Sequence, residues 1–173
     1  MEKLLLHICC GPCSAPIIPN LNTKFDVLGF YFNPNIYPET EFEQRLASAK
    51  KVVEFNGIGL IVPEQERDDF FEYIGDTKTK PDRCLLCYKQ RLARTAEYAS
   101  ENGFSHFSTT LLISPFQYHD KLKEIGEEAG KEFGIKFYYQ DFRPLYKESR
   151  EISRGLELYL QKYCGCKFSR KRK

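Results

Sequence analysis

Lys3-Leu4-Leu5-Leu6-His7-Ile8-Cys9-Cys10-Gly11-Pro12-Cys13 joins a short apolar run to a loop carrying three cysteines. An apolar run of this length, without polar alternation, is the pattern of a strand buried on both faces, which is the habit of parallel sheets. Pro12, Pro16 and Pro19 then limit the next segment to a short helix starting near Ser14, with Ser14 or Cys13 close to its cap.

Outward from that point, strand and helix patterns alternate. Phe25 to Phe32 is a second β-prone run stopped by Asn33-Pro34-Asn35. A helix is predicted from Glu39 to Phe55, with Phe42, Leu46, Ala49, Val52 and Val53 on one face and Gly57 as its stop. Gly59 to Val62 is a third strand, Asp68 to Ile74 a short helix, and Gly75 to Arg83 a polar loop. Cys84 to Ser100 reads as a helix capped by Asp82, and His106 to Thr110 as a fourth strand. Helix 121–133, strand 136–140 and a last helix from Leu145 to Gln161 complete the order. Such alternation predicts one Rossmann-like α/β domain over residues 1–173, a parallel sheet with helices on both faces and a helical C-terminal segment. In such sheets ligands bind beyond the carboxyl ends of the strands, where strand order reverses. The loop of Cys9 to Cys13 belongs in that crevice, and the loop after the fourth strand, Thr109 to Pro115, belongs beside it.

Composition narrows the chemistry. Seven cysteines in 173 residues fall into three groups, Cys9-Cys10-Gly11-Pro12-Cys13, Cys84-x-x-Cys87 and Cys164-Gly165-Cys166. An odd count in a chain of this length argues against a secreted disulfide scaffold. Leu4 to Ile8 is too short and too polar at His7 for an export signal, and no apolar run approaches a membrane span. A reducing cytoplasm is therefore expected, where grouped cysteines serve as metal ligands or redox groups. The formal charge of +2 conceals a basic end: Lys162 to Lys173 holds six basic residues and no acid. That segment is either a solvated terminus or a phosphate-binding tail.

Cys84 and Cys87 lie one turn apart at a helix start, on the same side, where the positive end of the helix favours anionic sulfur. With Cys9 and Cys10 they make a four-thiolate set. An iron-sulfur cluster, a structural zinc ion and a redox dithiol all remain open on spacing. Cys10-x-x-Cys13 matches zinc-type spacing, whereas adjacent Cys9-Cys10 does not. Cys164-Gly165-Cys166 differs in kind: a disulfide across one intervening residue closes a small, strained and reducible ring, which suits an electron relay. The competing reading is two free thiols or two further ligands. His7, inside an apolar strand, is expected to be a core histidine; His106 and His119 have no partner motif.

LLLHICCGPCSAP at 4–16, FNPNIYP at 32–38, PDRCLLCYKQRL at 81–92, FSTTLLISPFQ at 107–117 and YCGCKFS at 163–169 together resemble the QueH family of epoxyqueuosine reductases over nearly the whole chain. The resemblance implies an adenine-nucleotide-alpha-hydrolase-like fold whose first loop binds metal in place of a nucleotide. It implies a 4Fe-4S cluster on Cys9, Cys10, Cys84 and Cys87, and a redox-active disulfide between Cys164 and Cys166. Cys13 and Asp82 are the candidates for an additional iron ion. The implied reaction removes the epoxide oxygen of epoxyqueuosine at the tRNA wobble position as water, without cobalamin, using electrons from an unidentified donor. Partners are then the tRNA anticodon loop and that donor, with no membrane. Lys78, Lys80, Arg83, Lys167, Arg170, Lys171, Arg172 and Lys173 are candidates for RNA phosphates, and Tyr31, Tyr37 and Tyr118 for stacking or proton delivery. The rival functions are a zinc-stabilised RNA-binding module without chemistry and a PP-loop-like tRNA thiolation enzyme. The second lacks its glycine-serine phosphate loop here, because Cys9 to Cys13 stand in that place.

Overall fold

The computed structural model describes residues 1–170. Five parallel strands, β1 (Lys3–His7), β2 (Asp26–Phe30), β3 (Leu60–Ile61), β4 (His106–Thr109) and β5 (Lys136–Phe137), form one sheet in the order β3-β2-β1-β4-β5. The central strand is the apolar run: Leu4, Leu5 and Leu6 are fully buried, because a strand flanked by two others and covered on both faces has no solvent side. Its register pairs His7 with Phe30 on one side and with Thr109 on the other.

Among the described residues seven α-helices surround the sheet: α1 (Gly11–Ser14), α2 (Ile17–Asn22), α3 (Glu39–Phe55), α4 (Arg67–Ile74), α5 (Asp82–Glu101), α6 (His119–Phe133) and α7 (Tyr146–Gly155). Helix α1 packs with α3, and α5 with α6 and β1, as expected when right-handed crossovers run outward from β1 in both directions. The closeness of α1 to α3 depends on Gly11: a Cβ there would sit 2.8 Å from backbone atoms of Ser48. None of the helices among the described residues is long and apolar enough to cross a membrane.

Four sequence expectations shift. The first short helix begins at Gly11 with Cys10 in the cap position and ends at Ser14, instead of starting near Ser14, because Pro12 suits a helix's first turn. The last helix ends at Gly155 rather than Gln161, because Glu157 adopts a left-handed conformation (φ 54°) and Leu158 N–H closes back on the Ser153 carbonyl. That closure is a Schellman turn with glutamate in the place usually taken by glycine, which leaves no glycine signal after the helix. Residues 156–170 consequently form a strap, without α-helix, instead of a terminal helix. Helix α5 begins two residues early: Pro81 occupies the cap position, and Asp82 lies in the first turn without capping a backbone N–H. There its charge still favours the helix N-terminus. Finally, β5 pairs over two residues only, and Tyr138 to Gln140 leave the ladder after the Tyr138 N–H bonds the Phe107 carbonyl.

Candidate metal centre

Strand order reverses between β1 and β4, and the loops after these strands meet there. The Cys9 N–H donates to Thr110 Oγ1 at 3.1 Å, and that hydroxyl donates to Cys9 Sγ at 3.2 Å. Beneath them lies a buried polar chain. His7 Nδ1 is 2.9 Å from Thr109 Oγ1, and its Nε2 meets the Phe32 carbonyl at 3.0 Å and Asn33 Oδ1 at 3.1 Å. Asn33 Nδ2 donates to the Ile8 carbonyl at 2.9 Å. Both ring nitrogens of His7 are thus engaged. Burial, with the Arg91 charge nearby, lowers its pKa to about 4, so it is a neutral structural imidazole, as its apolar strand predicted.

The sulfurs of Cys9, Cys10 and Cys13 all lie within 4.8 Å of one another, with Cys9 Sγ 3.7 Å from Cys10 Sγ. Cys13, expected as a candidate ligand for an additional iron ion, is turned back onto the pair by α1. Hydrogen bonds from the Cys10 and Cys13 thiols draw the Cys9 thiol well below its ordinary pKa, whereas burial lifts Cys10 to about 12. Three thiols that share protons in this way are a ready ligand set for a soft cation.

Cys84 and Cys87, in the first turns of α5, line the same cavity of about 620 Å³ as Cys9 and Cys13. Cys164 and Cys166 line it too, so all three sequence blocks converge on one space. Cys166 packs with Cys87, Phe70 and Ile74. Cys164 and Cys166 are both free thiols here, with Cys164 Sγ 2.8 Å from Ser169 Oγ, so the disulfide implied by the resemblance is not formed in this structure. Asp82, in the first turn of α5 two residues before Cys84, is exposed and is not among the residues that line the cavity.

Arg45 and Arg91, two of the three buried arginines in the lining, complete the wall. Arg45 Nε pairs with Glu41 Oε1 at 2.8 Å, and its remaining nitrogens donate to the carbonyls of Tyr163 (2.7 Å) and Cys164 (3.1 Å). It also lies beside Cys10, whose Sγ accepts from Gln161 Nε2 at 2.9 Å. Arg91 faces Cys87 and Cys9. Neither arginine was singled out as a site residue from the sequence. The signal was present: each occupies the apolar stripe of its helix, Arg45 between Phe42 and Ala49, Arg91 between Tyr88 and Thr95. A charge at such a position is rarely buried without a partner.

A family model described as epoxyqueuosine reductase QueH matches residues 4–172. The chain belongs to the QueH family. It is 38% identical to the epoxyqueuosine reductase QueH of Dehalococcoides mccartyi, over 96% of this chain and 92% of that one. It is 33% identical to the same-named protein of Thermotoga maritima, over 98% and 91%. A solved structure titled as a predicted subunit of tRNA methyltransferase from Methanocaldococcus jannaschii superposes with a TM-score of 0.60 at 12% identity, covering 89% of this chain and 75% of that one. That likeness bears on the fold, and agrees with the parallel α/β architecture.

In this QueH-family chain the cavity carries six basic residues, Arg45, Lys80, Arg83, Arg91, Arg150 and Lys162, and no acidic one among the described residues. Not all are free to meet a ligand. Arg83 is 5% exposed, donates to the Lys78 carbonyl at 2.6 Å and lies over the Phe168 ring, so it braces the rim instead of offering itself to phosphate. Lys78 is exposed outside the cavity lining, Lys167 sits over the rings of Tyr37 and Phe71, and Arg170 is exposed. Lys171, Arg172 and Lys173 lie outside the described residues. Of the tyrosines, Tyr31 is fully buried with its hydroxyl on the Phe42 carbonyl, which removes it as a stacking group. Tyr118 lines the cavity, and Tyr37 lies outside it. Phe116 at the rim, 80% exposed, was missed, since nothing in a sequence separates a rim phenylalanine from a core one.

Proposed function

We propose that this chain is an epoxyqueuosine reductase acting on tRNA, with a 4Fe-4S cluster held by Cys9, Cys10, Cys84 and Cys87 and with Cys164 and Cys166 as a redox-active pair. The observation that carries the reading is the convergence of the three cysteine blocks on one cationic cavity at the switch point of the sheet. The donor set fits: buried soft sulfurs from two remote segments, hydrogen-bonded by Thr110 and Gln161 and free of nearby carboxylates, suit an anionic thiolate-bound centre. Cys13, within reach of the same ion as Cys9 and Cys10, is the better candidate for an additional iron; Asp82 has no geometric support.

When bound, the cluster supplies single electrons at low potential. The chain does the rest. Opening the epoxide to an alkene and water consumes two electrons and two protons. Cys164 and Cys166 as dithiol hold two of each, and their oxidation to a disulfide releases both in a balanced step. Tyr88 Oη donates to Gln117 Oε1 at 2.5 Å and accepts the Tyr118 N–H at 3.1 Å, and burial raises its pKa. It therefore stays a protonated phenol that orients the 117–118 loop beside the substrate. A wobble base is already exposed in its loop, so inserting it into a cavity of this size costs little unstacking. Lys80, Arg150 and Lys162 at the wall meet the phosphates flanking it.

The test is anaerobic reconstitution with iron and sulfide, followed by incubation with tRNA bearing epoxyqueuosine and a chemical reductant. Nucleoside mass spectrometry should show loss of one oxygen. A colourless protein that retains zinc, binds tRNA and leaves the epoxide intact would establish the zinc-stabilised module instead.

A further inference from the structure

Arg91 is 5% exposed, and no salt bridge joins it to a carboxylate among the described residues. Its hydrogen bonds are long: Nε to the Cys87 carbonyl at 3.5 Å and Nη1 to Asn33 Oδ1 at 3.4 Å. Arg45 provides the internal contrast. It is equally buried, yet Glu41 neutralises it at 2.8 Å and two carbonyls take its remaining donors. A guanidinium keeps its charge at any working pH, and a buried charge without a counter-charge is strongly unfavourable. Some anion must therefore stand against Arg91 in the working protein. Arg91 lines the cavity together with Cys87, Cys9, Tyr88 and Cys164, and the His7 ring nitrogens nearby are taken by Thr109, Phe32 and Asn33. Cys87 and Cys9 come from the two blocks on opposite sides of β3 in the chain, so Arg91 stands where both reach.

We propose that Arg91 is the fixed counter-ion of the thiolate-bound centre, supplying the positive charge that makes its reduction easier and that couples metal loading to the stability of this fold. This rests on the reading that the cysteines hold a redox-active centre. A unit charge beside a buried redox group favours the state carrying one more electron, because the surrounding medium screens it weakly. In the metal-free fold only the sulfurs of the cavity wall are left to answer that charge, less fully than the loaded centre does.

The experiment compares wild type, Arg91→Gln and Arg91→Lys as full-length chains, each reconstituted with iron and sulfide and each also metal-free. The first readout is the midpoint potential by optical titration at matched iron content. Arg91→Gln should lower the reduction equilibrium about tenfold, or about 59 mV for a one-electron couple, and Arg91→Lys should recover most of that shift. The second readout is the melting temperature. Metal-free Arg91→Gln should melt at or above wild type, and the rise on loading should be smaller than in wild type. An Arg91→Gln potential equal to wild type at equal iron overturns the proposal. So does a metal-free Arg91→Gln that melts far below wild type, which would make Arg91 a structural strut. A wild type with no redox transition at all is a distinct result: it defeats the cluster reading itself, and the counter-ion role with it.

Discussion

The loop after β1 and the strap around Cys164 bring cysteines to the same cavity, yet they are held in opposite ways. Cys9 and Cys10 follow a fully buried central strand, and side-chain bonds from Thr110 and Gln161 fix their sulfurs directly. The strap is gripped by its backbone instead: Arg45 holds the carbonyls of Tyr163 and Cys164, the Tyr37 N–H takes the Gly165 carbonyl, and Ile36 bridges Cys166. Of its sulfurs, Cys164 Sγ is exposed and meets only Ser169 Oγ, whereas Cys166 packs against Cys87, Phe70 and Ile74. Gly165 makes the grip achievable, with φ at 109° and no room for a Cβ against Arg45 Nη1 and Ile36 Cγ1, each 3.0 Å away. A sulfur fixed by side-chain bonds suits a permanent ligand, and an exposed sulfur on an anchored strap suits thiol–disulfide exchange.

The sharpest way to break this contrast is to remove one sulfur from each region. Cys10→Ser should abolish iron retention and, with it, all conversion of the epoxide. Cys164→Ser should retain wild-type iron but lose sustained turnover, at least a hundredfold under a dithiol reductant, by loss of the exchange step. Iron content and nucleoside analysis on the same preparations decide it. If Cys164→Ser also emptied the centre, the strap would be a ligand arm and the distinction would fail.

A second, smaller effect separates the two regions by stability. Arg45→Met strands Glu41 with only the Tyr159 hydroxyl, which donates to Glu41 Oε2 at 2.6 Å, and releases both strap carbonyls. Breaking a buried pair from one side costs about 3 kcal/mol. Amide exchange should accelerate over 159–166 well beyond the global change, while β1 amides follow global unfolding alone. Equal acceleration in β1 would show that Arg45 supports the core and not the strap.

How much of this was legible in the sequence follows the same division. An apolar run ending in cysteines declares both a central strand and what its loop is for, and strand–helix alternation places that loop at the switch point. The four-thiolate set of Cys9, Cys10, Cys84 and Cys87 came from spacing and the family resemblance added the cluster it would hold; the cavity brings the two blocks together. What stayed hidden depends on tertiary contacts. Cys13 joins Cys9 and Cys10 only because α1 turns immediately after Cys10. Arg45 and Arg91 sit on stripes where a periodicity count tolerates one charge, so their burial has no local signal beyond position. The strap was read as helix because Tyr159, Leu160 and Gln161 are ordinary helix residues; the stop is Glu157 in a conformation that side chains seldom adopt. Asp82 was assigned the cap that Pro81 takes.

The smallest expected effect concerns the rim, where neither region of cysteine is touched. Phe116 is 80% exposed, makes a T-shaped contact with Tyr146, with ring centroids 6.0 Å apart at 81°, and lines the same cavity as Tyr118 and Arg150. A single exposed phenylalanine is unremarkable on most surfaces. On the lip of a cationic cavity that takes a wobble base as proposed, it would be a platform for the neighbouring base. Stacking of this kind contributes about 1–3 kcal/mol per base, so Phe116→Ala should weaken binding of an anticodon stem-loop roughly tenfold, while Phe116→Trp holds wild-type affinity. Iron content and the rate at saturating RNA should be unchanged, because the ring supports the substrate without reaching the sulfurs. A Phe116→Ala protein that bound RNA normally but lost iron would place the ring in the scaffold of the centre, and the rim would then owe its affinity to Lys80, Arg150 and Lys162 alone.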